Sequence, residues 1–181
     1  MKLIAPRIIE PGTEETQTDQ KVRTTVRAVF LNGKKETLMV YSFLFNDYTF
    51  AGGGVKDDET HQEALKRELK EELGVDEFDV VKPLGAIEEL RFGINGSDSI
   101  YLQTSYYYLC EIIKIGAAKP NKREQKHGMT PKWIKIDDAI ARNSSVLNDD
   151  NHQKKGLKTV LIRENKMLEY LKKGDSNNEE V

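Results

Sequence analysis

Three glutamates, Glu68, Glu71 and Glu72, are spaced i, i+3 and i+4. On a helix this places them within about 100° of one another, on one face. Leu65, Leu69 and Leu73 form a neighbouring apolar stripe that can anchor such a helix to a core. Carboxylates so arranged repel each other, so something must offset their charge. A hard divalent cation with oxygen ligands is the obvious candidate, and Mg²⁺ is the common one where phosphates are processed. Upstream lies Gly52-Gly53-Gly54, whose backbone can approach a ligand closely. A carboxylate face beside a glycine loop points to phosphoryl or pyrophosphate chemistry.

An ordinary solvated helix would also be rich in Glu and Lys, and Lys66, Arg67 and Lys70 could pair with the acids. The full spacing argues for more. Gly53, Glu59, Arg67, Glu68, Leu69, Glu71, Glu72, Gly74 and Val75 follow G-x5-E-x7-R-E-U-x-E-E-x-G-U, with U apolar. With this composition, a chance match is on the order of one in a million.

The segment Gly53 to Val75 resembles the Nudix box at every defined position. The resemblance implies an α/β (α+β) fold, a Nudix-type α/β/α sandwich with a mixed β-sheet between helices. It implies a pyrophosphohydrolase that cleaves a nucleoside diphosphate linked to a moiety X, with Mg²⁺ or Mn²⁺. Glu68, Glu71 and Glu72 fall on the family's metal-binding glutamates. Arg67 and Glu59 fall on positions that usually pair and orient the catalytic helix. Gly53 falls on the loop glycine whose carbonyl often contacts metal, and Gly74 ends the helix. In-line attack of water on phosphorus needs a carboxylate to take its proton. Glu124, in the polar loop ahead of a late strand, is the candidate base, with Glu88, Glu89 and Glu111 behind it. One flanking departure stands out: Ala51 precedes Gly52 where many members have Pro.

Outside the box, Arg23 and Arg27 occupy alternate positions of a strand. With Gly53 and Gly54 they are candidates for substrate contact, since Arg suits bidentate phosphate binding. Tyr106, Tyr107 and Tyr108 must point alternately along their strand, so one or two pack inward and stacking on a base is open to the rest. Phe92 and Tyr48 have the same status. Trp133 reads as a packing residue. His61, His127 and His152 show no metal-ligand spacing, and Cys110 reads as a small buried hydrophobe.

The elements that must hold these residues follow from patterning. Val22 to Leu31 alternates as a strand, Asn32-Gly33 is a preferred pair for a tight type I′ turn, and Leu38 to Phe45 is an apolar run. Together they read as a hairpin. Tyr48 to Phe50 is a short strand, about Thr60 to Leu73 a helix, and Leu84 to Arg91 and Ile100 to Ile115 two strands joined through Asn95-Gly96. Lys119 to Thr130 reads as a loop and Pro131 to Ile136 as a strand. Asp137 can cap a short helix to about Arg142, and a last helix spans about Gln153 to Leu171. The domain then covers residues 22–173, after an N-terminal extension at 1–21 and before a disordered tail at 174–181.

Composition excludes several classes. A chain of 181 residues suits one domain of ~150 residues. With 28 Lys+Arg against 30 Asp+Glu the net charge is -2, which argues against a general nucleic-acid binder. No apolar run is long enough to span a membrane, the N-terminus lacks a signal-type apolar region, and the single cysteine excludes an intramolecular disulfide. A cytoplasmic protein acting on a small-molecule nucleotide is therefore expected. Dimers are common in the family, so a homodimer is open, though no residue fixes it. Markers of the ADP-ribose, dinucleoside-polyphosphate, NADH and coenzyme A subfamilies are missing. The reading leans to a MutT-like hydrolase of a nucleoside triphosphate, oxidised ones included. ADP-ribose or dinucleoside-polyphosphate hydrolysis, or a non-catalytic nucleotide sensor, is the alternative.

Overall fold

The computed structural model describes residues 1–14, 20–93 and 97–176, apart from the side chains of residues 123, 124, 175 and 176. The elements in chain order are β1 (Ile8–Ile9), β2 (Gln20–Val29), β3 (Glu36–Ser42), β4 (Asp47–Thr49), α1 (His61–Leu73), β5 (Val75–Phe92), β6 (Ile100–Ile115), α2 (Lys122–His127), β7 (Met129–Lys135), α3 (Ile136–Val146) and α4 (Val160–Ser176). A mixed four-stranded sheet runs β1-β5-β6-β2, and a three-stranded sheet runs β4-β3-β7.

Strand alternation divides the interior into two cores. Val26, Ala28, Phe30, Leu38 and Val40 face the apolar stripe of α1, namely Ala64, Leu65, Leu69 and Leu73. The intervening Val29 and Met39 face α3 and α4 through Ala139, Met167 and Leu168. Each fully buried leucine contributes about 1.5–3 kcal/mol, so the stripe fixes which face of α1 is left for the acids. The result is the expected order of helix, sheet and helix.

Helix α1 has defined ends. Thr60 caps it reciprocally with Glu63, and Gly74 closes it at φ 71°. A Cβ on Gly74 would also lie 2.5 Å from the Ala118 amide nitrogen, so conformation and space both require glycine.

Several elements differ from the sequence expectation. Residues 22–45 do not form a hairpin. β2 pairs in parallel with β6 from Gln20↔Ile100 to Val29↔Leu109, while β3 pairs antiparallel with β4 and β7. Only the bridge Leu31↔Thr37 joins the two segments. The turn between them is built by the Asn32 side chain, whose Oδ1 accepts the Lys34 and Glu36 amides, and by Lys35 at φ 60°. Strand β3 stops at Ser42, leaving Phe43 and Leu44 exposed.

Strand β5 begins at Val75 rather than Leu84, accommodating Pro83 at a register shift. A short helix, α2, occupies part of the expected loop at 119–130. The last helix starts at Val160, not near Gln153, and continues to Ser176. Residues 1–14 lie on the sheet: Ile8 and Ile9 pair in parallel with Glu89 and Leu90. The Asn95-Gly96 pair and residues 177–181 lie outside the described residues. No described helix is long and apolar enough to cross a membrane.

Candidate active site

The glycine loop lies along the free edge of β2. Val26 N–H donates to the Gly53 carbonyl at 3.0 Å, Ala28 N–H to Ala51 at 2.9 Å, and Val55 N–H to Thr24 at 3.0 Å. This close approach explains two of the glycines. Gly52 has φ 135°, and a Cβ there would lie 2.1 Å from the Val26 carbonyl oxygen. A Cβ on Gly53 would lie 2.3 Å from Glu68 Oε1. A Cβ on Gly54 would lie 3.7 Å from Arg23 Nη2, an ordinary van der Waals contact.

Arg67 ties helix to loop. Its Nε and Nη2 donate to the two oxygens of Glu59 at 2.8 Å each, its Nη2 also reaches the Gly54 carbonyl at 3.0 Å, and its Nη1 donates to Glu68 at 2.5 Å. The bidentate hydrogen bonds hold the Glu59 carboxyl down at about 2 and push the Arg67 guanidinium upward. Glu72 Oε2 accepts the Gly52 amide at 2.8 Å. Thus the box acids and the loop fasten to each other directly.

A cleft of about 820 Å³ opens over this face. Glu68, Glu71 and Glu72 line it beside Gly52, Gly53 and Gly54, and the cations Arg23, Arg27, Arg91, Lys154, Lys155 and Arg163 line it as well. Arg27 does double duty, because its Nη1 donates to the Phe50 and Gly52 carbonyls and so braces the glycine loop. Arg23 has no hydrogen bond or ion pair with another described residue. Burial lowers its pKa, and the nearby charges of Arg27 and Arg163 lower it further. An anion in the cleft would relieve that crowding.

Three hard carboxylates on one wall suit a divalent cation such as Mg²⁺ or Mn²⁺ in donor chemistry. The missing Cβ at Gly53 gives Glu68 the room it needs on that wall. No three His, Cys, Asp or Glu side chains among the described residues converge as a ready metal cluster. In this arrangement Arg67 engages Glu68 and the Gly52 amide engages Glu72. Glu68, Glu71 and Glu72 are the residues that would hold the metal. The Gly53 carbonyl, expected from the sequence as a metal contact, accepts the Val26 amide.

The remaining candidates disperse. The Glu124 side chain lies outside the described residues, though Asn121, just before α2, and His127, its last residue, line the cleft. Glu88 pairs with Arg7 on the surface and Glu111 is exposed. Glu89 is fully buried and accepts from Arg163 and Gln103 at 2.8 Å each, which makes it a structural charge. Burial alone would raise its pKa, but the charges of Arg163 and Arg91 outweigh that and lower it.

None of the three tyrosines lines the cleft. Tyr107 is in the core, the Tyr106 ring lies 4.8 Å from His61, and the Tyr108 hydroxyl bonds His61 Nδ1. Trp133 is 43% exposed on β7 rather than packed. Tyr48 sits in the core, its backbone clamped by the Asn143 amide, and Phe92 lies under Lys155. Burial pushes the Cys110 thiol up to about 12, consistent with an inert hydrophobe.

Two parts of the site had no signal in the sequence. His152 is buried, donates from Nε2 to Asp47 at 2.9 Å, and lines the cleft with His127, which packs edge-on against Phe45. Arg163 is buried in α4 between Glu89 and Glu164, while Glu164 accepts the Phe50 amide at 3.2 Å. Arg91 is lowered to about 10 by burial.

The fold and this helix–loop site define a Nudix protein. The NUDIX domain family matches residues 21–158, and the chain belongs to that family. Over 58 residues it is 41% identical to an RNA pyrophosphohydrolase of Marinomonas sp. (strain MWYL1), covering 32% of this chain and 36% of that protein. The matched region thus spans about a third of that relative's length. A NUDIX hydrolase from Nitrosomonas europaea superimposes with a TM-score of 0.51 at 19% identity, over 68% of this chain and 79% of that chain, a likeness of fold. The E. coli ORF135 protein gives a TM-score of 0.46 at 21% identity, over 68% of this chain and 80% of that one.

Proposed function

We propose that the protein is a divalent-metal-dependent hydrolase of a nucleoside diphosphate linked to X, with a nucleoside triphosphate the favoured substrate. One observation carries the reading: the Glu68–Glu71–Glu72 face and Arg23, which has no ion pair among the described residues, line the same cleft. A diphosphate needs both metal ligands and fixed cations, and neither set serves the fold alone. Metal bound by the glutamates would supply Lewis-acid charge at the phosphoryl oxygens. The chain's own residues do the rest. Arg67 and Glu59 hold α1 in register, Arg27 braces the glycine loop, and Arg23 contacts a phosphate. A carboxylate bordering the cleft takes the proton of the attacking water, and Glu124 keeps its candidacy from its place in α2.

The relative named an RNA pyrophosphohydrolase supports cleavage of a pyrophosphate bond and adds 5′-triphosphorylated RNA to the substrates worth testing. The deciding experiment is a hydrolysis screen with and without Mg²⁺ or Mn²⁺. It covers nucleoside triphosphates, 8-oxo-dGTP, ADP-ribose, dinucleoside polyphosphates, nucleotide sugars, NADH and 5′-triphosphorylated RNA, with products identified by chromatography and mass. Metal-dependent turnover of one class establishes the enzyme and names X. Binding without turnover of any substrate would replace the enzyme by a nucleotide sensor.

A further inference from the structure

We propose that Glu10 is a positioning residue for the substrate: it holds the segment that presents Lys154 and Lys155 to the cleft, so affinity for a phosphate ligand depends on it. The assignment rests on the cleft being a diphosphate site. Glu10 follows β1 and lies before residues 21–158, which match the family. It does not line the cleft, so it acts through other residues.

Glu10 is only 1% exposed, yet both carboxylate oxygens are occupied. Oε2 accepts the Phe92 amide at 3.0 Å, and Oε1 accepts the Gly156 amide at 2.8 Å. The Gly156 carbonyl accepts from the Arg91 guanidinium. Both backbone polar groups of Gly156 are therefore fastened, one by an anion and one by a cation. Gly156 has φ 81°, and a Cβ on it would lie 2.3 Å from the Gly93 carbonyl oxygen, so the joint admits no side chain.

Lys154 and Lys155 immediately precede this joint, and the Lys155 ammonium lies 4.0 Å above the ring of Phe92, whose amide is the second donor to Glu10. The segment between α3 and α4 has no helix of its own; turns, the His152–Asp47 bond, an ion pair from Lys155 to Asp98 and this joint are among the contacts that hold it. A charged acceptor on two amides is a strong tether.

The test compares wild type with Glu10→Gln, which keeps the shape but opposes a donor to one of the two amides. Two quantities are read: calorimetric affinity for inorganic pyrophosphate with Mg²⁺ present, and KM and kcat on the substrate found in the screen. The expected result is an affinity loss and KM rise of about tenfold with kcat within about threefold, the scale seen for residues that orient ligand-binding groups. Combining Glu10→Gln with Lys154→Ala and Lys155→Ala should then cost less than the sum of the separate losses, because all act through the same lysines.

Should Glu10→Gln not fold, Gly156→Ala strains the other half of the joint and is read in the same way. Unchanged affinity and KM in a folded variant, or strictly additive losses, would overturn the assignment while leaving the proposed function standing. A wild-type protein that neither binds pyrophosphate nor cleaves any diphosphate would overturn both.

Discussion

Gly53 and Glu68 occupy space that a single methyl group would contest: a Cβ on Gly53 would lie 2.3 Å from Glu68 Oε1 and 2.5 Å from its carboxyl carbon. The glycine is therefore a spatial condition for the position of a carboxylate. Gly53→Ala should displace Glu68 and lower kcat by about 100-fold, the usual cost of an ångström-scale misplacement. Circular dichroism should show α1 intact. Wild-type kcat in a folded Gly53→Ala protein would remove Glu68 from the chemistry.

Glu72 has two demands on it, the Gly52 amide at 2.8 Å and the proposed metal. Glu72→Gln is nearly isosteric but loses the charge. Activity with Mg²⁺ should fall by about 100-fold or more, with metal affinity falling in parallel and the melting temperature nearly unchanged. Full activity at the same Mg²⁺ concentration would overturn the ligand assignment.

The Glu59–Arg67 pair sets a pH window. Glu59 is held at about 2 against its usual 4.5, so the folded state favours its ionised form. The resulting stabilisation is complete above pH 4.5 and disappears as pH falls towards 2. Because water reaches the pair, the contribution is on the order of 1 kcal/mol. In urea titrations the stability gap between wild type and Glu59→Gln should be widest near neutrality and close progressively below pH 4.5. A gap that widened with acidification would contradict the pairing.

Arg23 contributes charge to the cleft without an ion pair among the described residues. Arg23→Ala should raise KM by about tenfold, the loss of one charged contact, while leaving the folded protein as stable as wild type or slightly more so. Kinetics and thermal melts on the same preparation separate the two effects. A large fall in melting temperature with KM unchanged would make Arg23 a structural residue instead.

Arg163 should behave in the opposite way. It is buried between Glu89 and Glu164, which drive its pKa well upward against the cost of burial. Arg163→Met strands two buried carboxylates and should destabilise the fold by about 3–5 kcal/mol, measured by urea denaturation. A loss under about 1 kcal/mol would mean that water already enters the network.

What the sequence revealed depended on the distance over which each feature acts. Gly53 to Val75 was legible because its cap, apolar stripe and acid spacing are all local to one loop and one helix. Val26, Ala28 and Phe30 were legible as one strand face for the same reason. The partner of that strand was not. Asn32-Gly33 suggested a hairpin, but Val26 pairs with Tyr106, and the turn is made by the Asn32 side chain and Lys35. Asp47 and His152 are 105 positions apart, and each looks like an ordinary loop residue until the fold brings them together. Arg163 was one cation in a lysine-rich helix, and only burial between two acids distinguishes it.

The 146-residue separation between Glu10 and Gly156 also bears on the order in which the molecule assembles. The glycine loop and the carboxylate helix are neighbours in the chain and need few residues to find each other. The part of the cleft lined by Lys154 and Lys155 requires the N-terminal segment to meet a stretch made near the end of synthesis, and such distant closures are slow. During translation at about 5–20 residues per second, the acidic face is synthesised several seconds before Lys154 and Lys155. A ribosome stalled before residue 156 would thus carry the Glu68–Glu71–Glu72 face without the segment that completes the cleft around it.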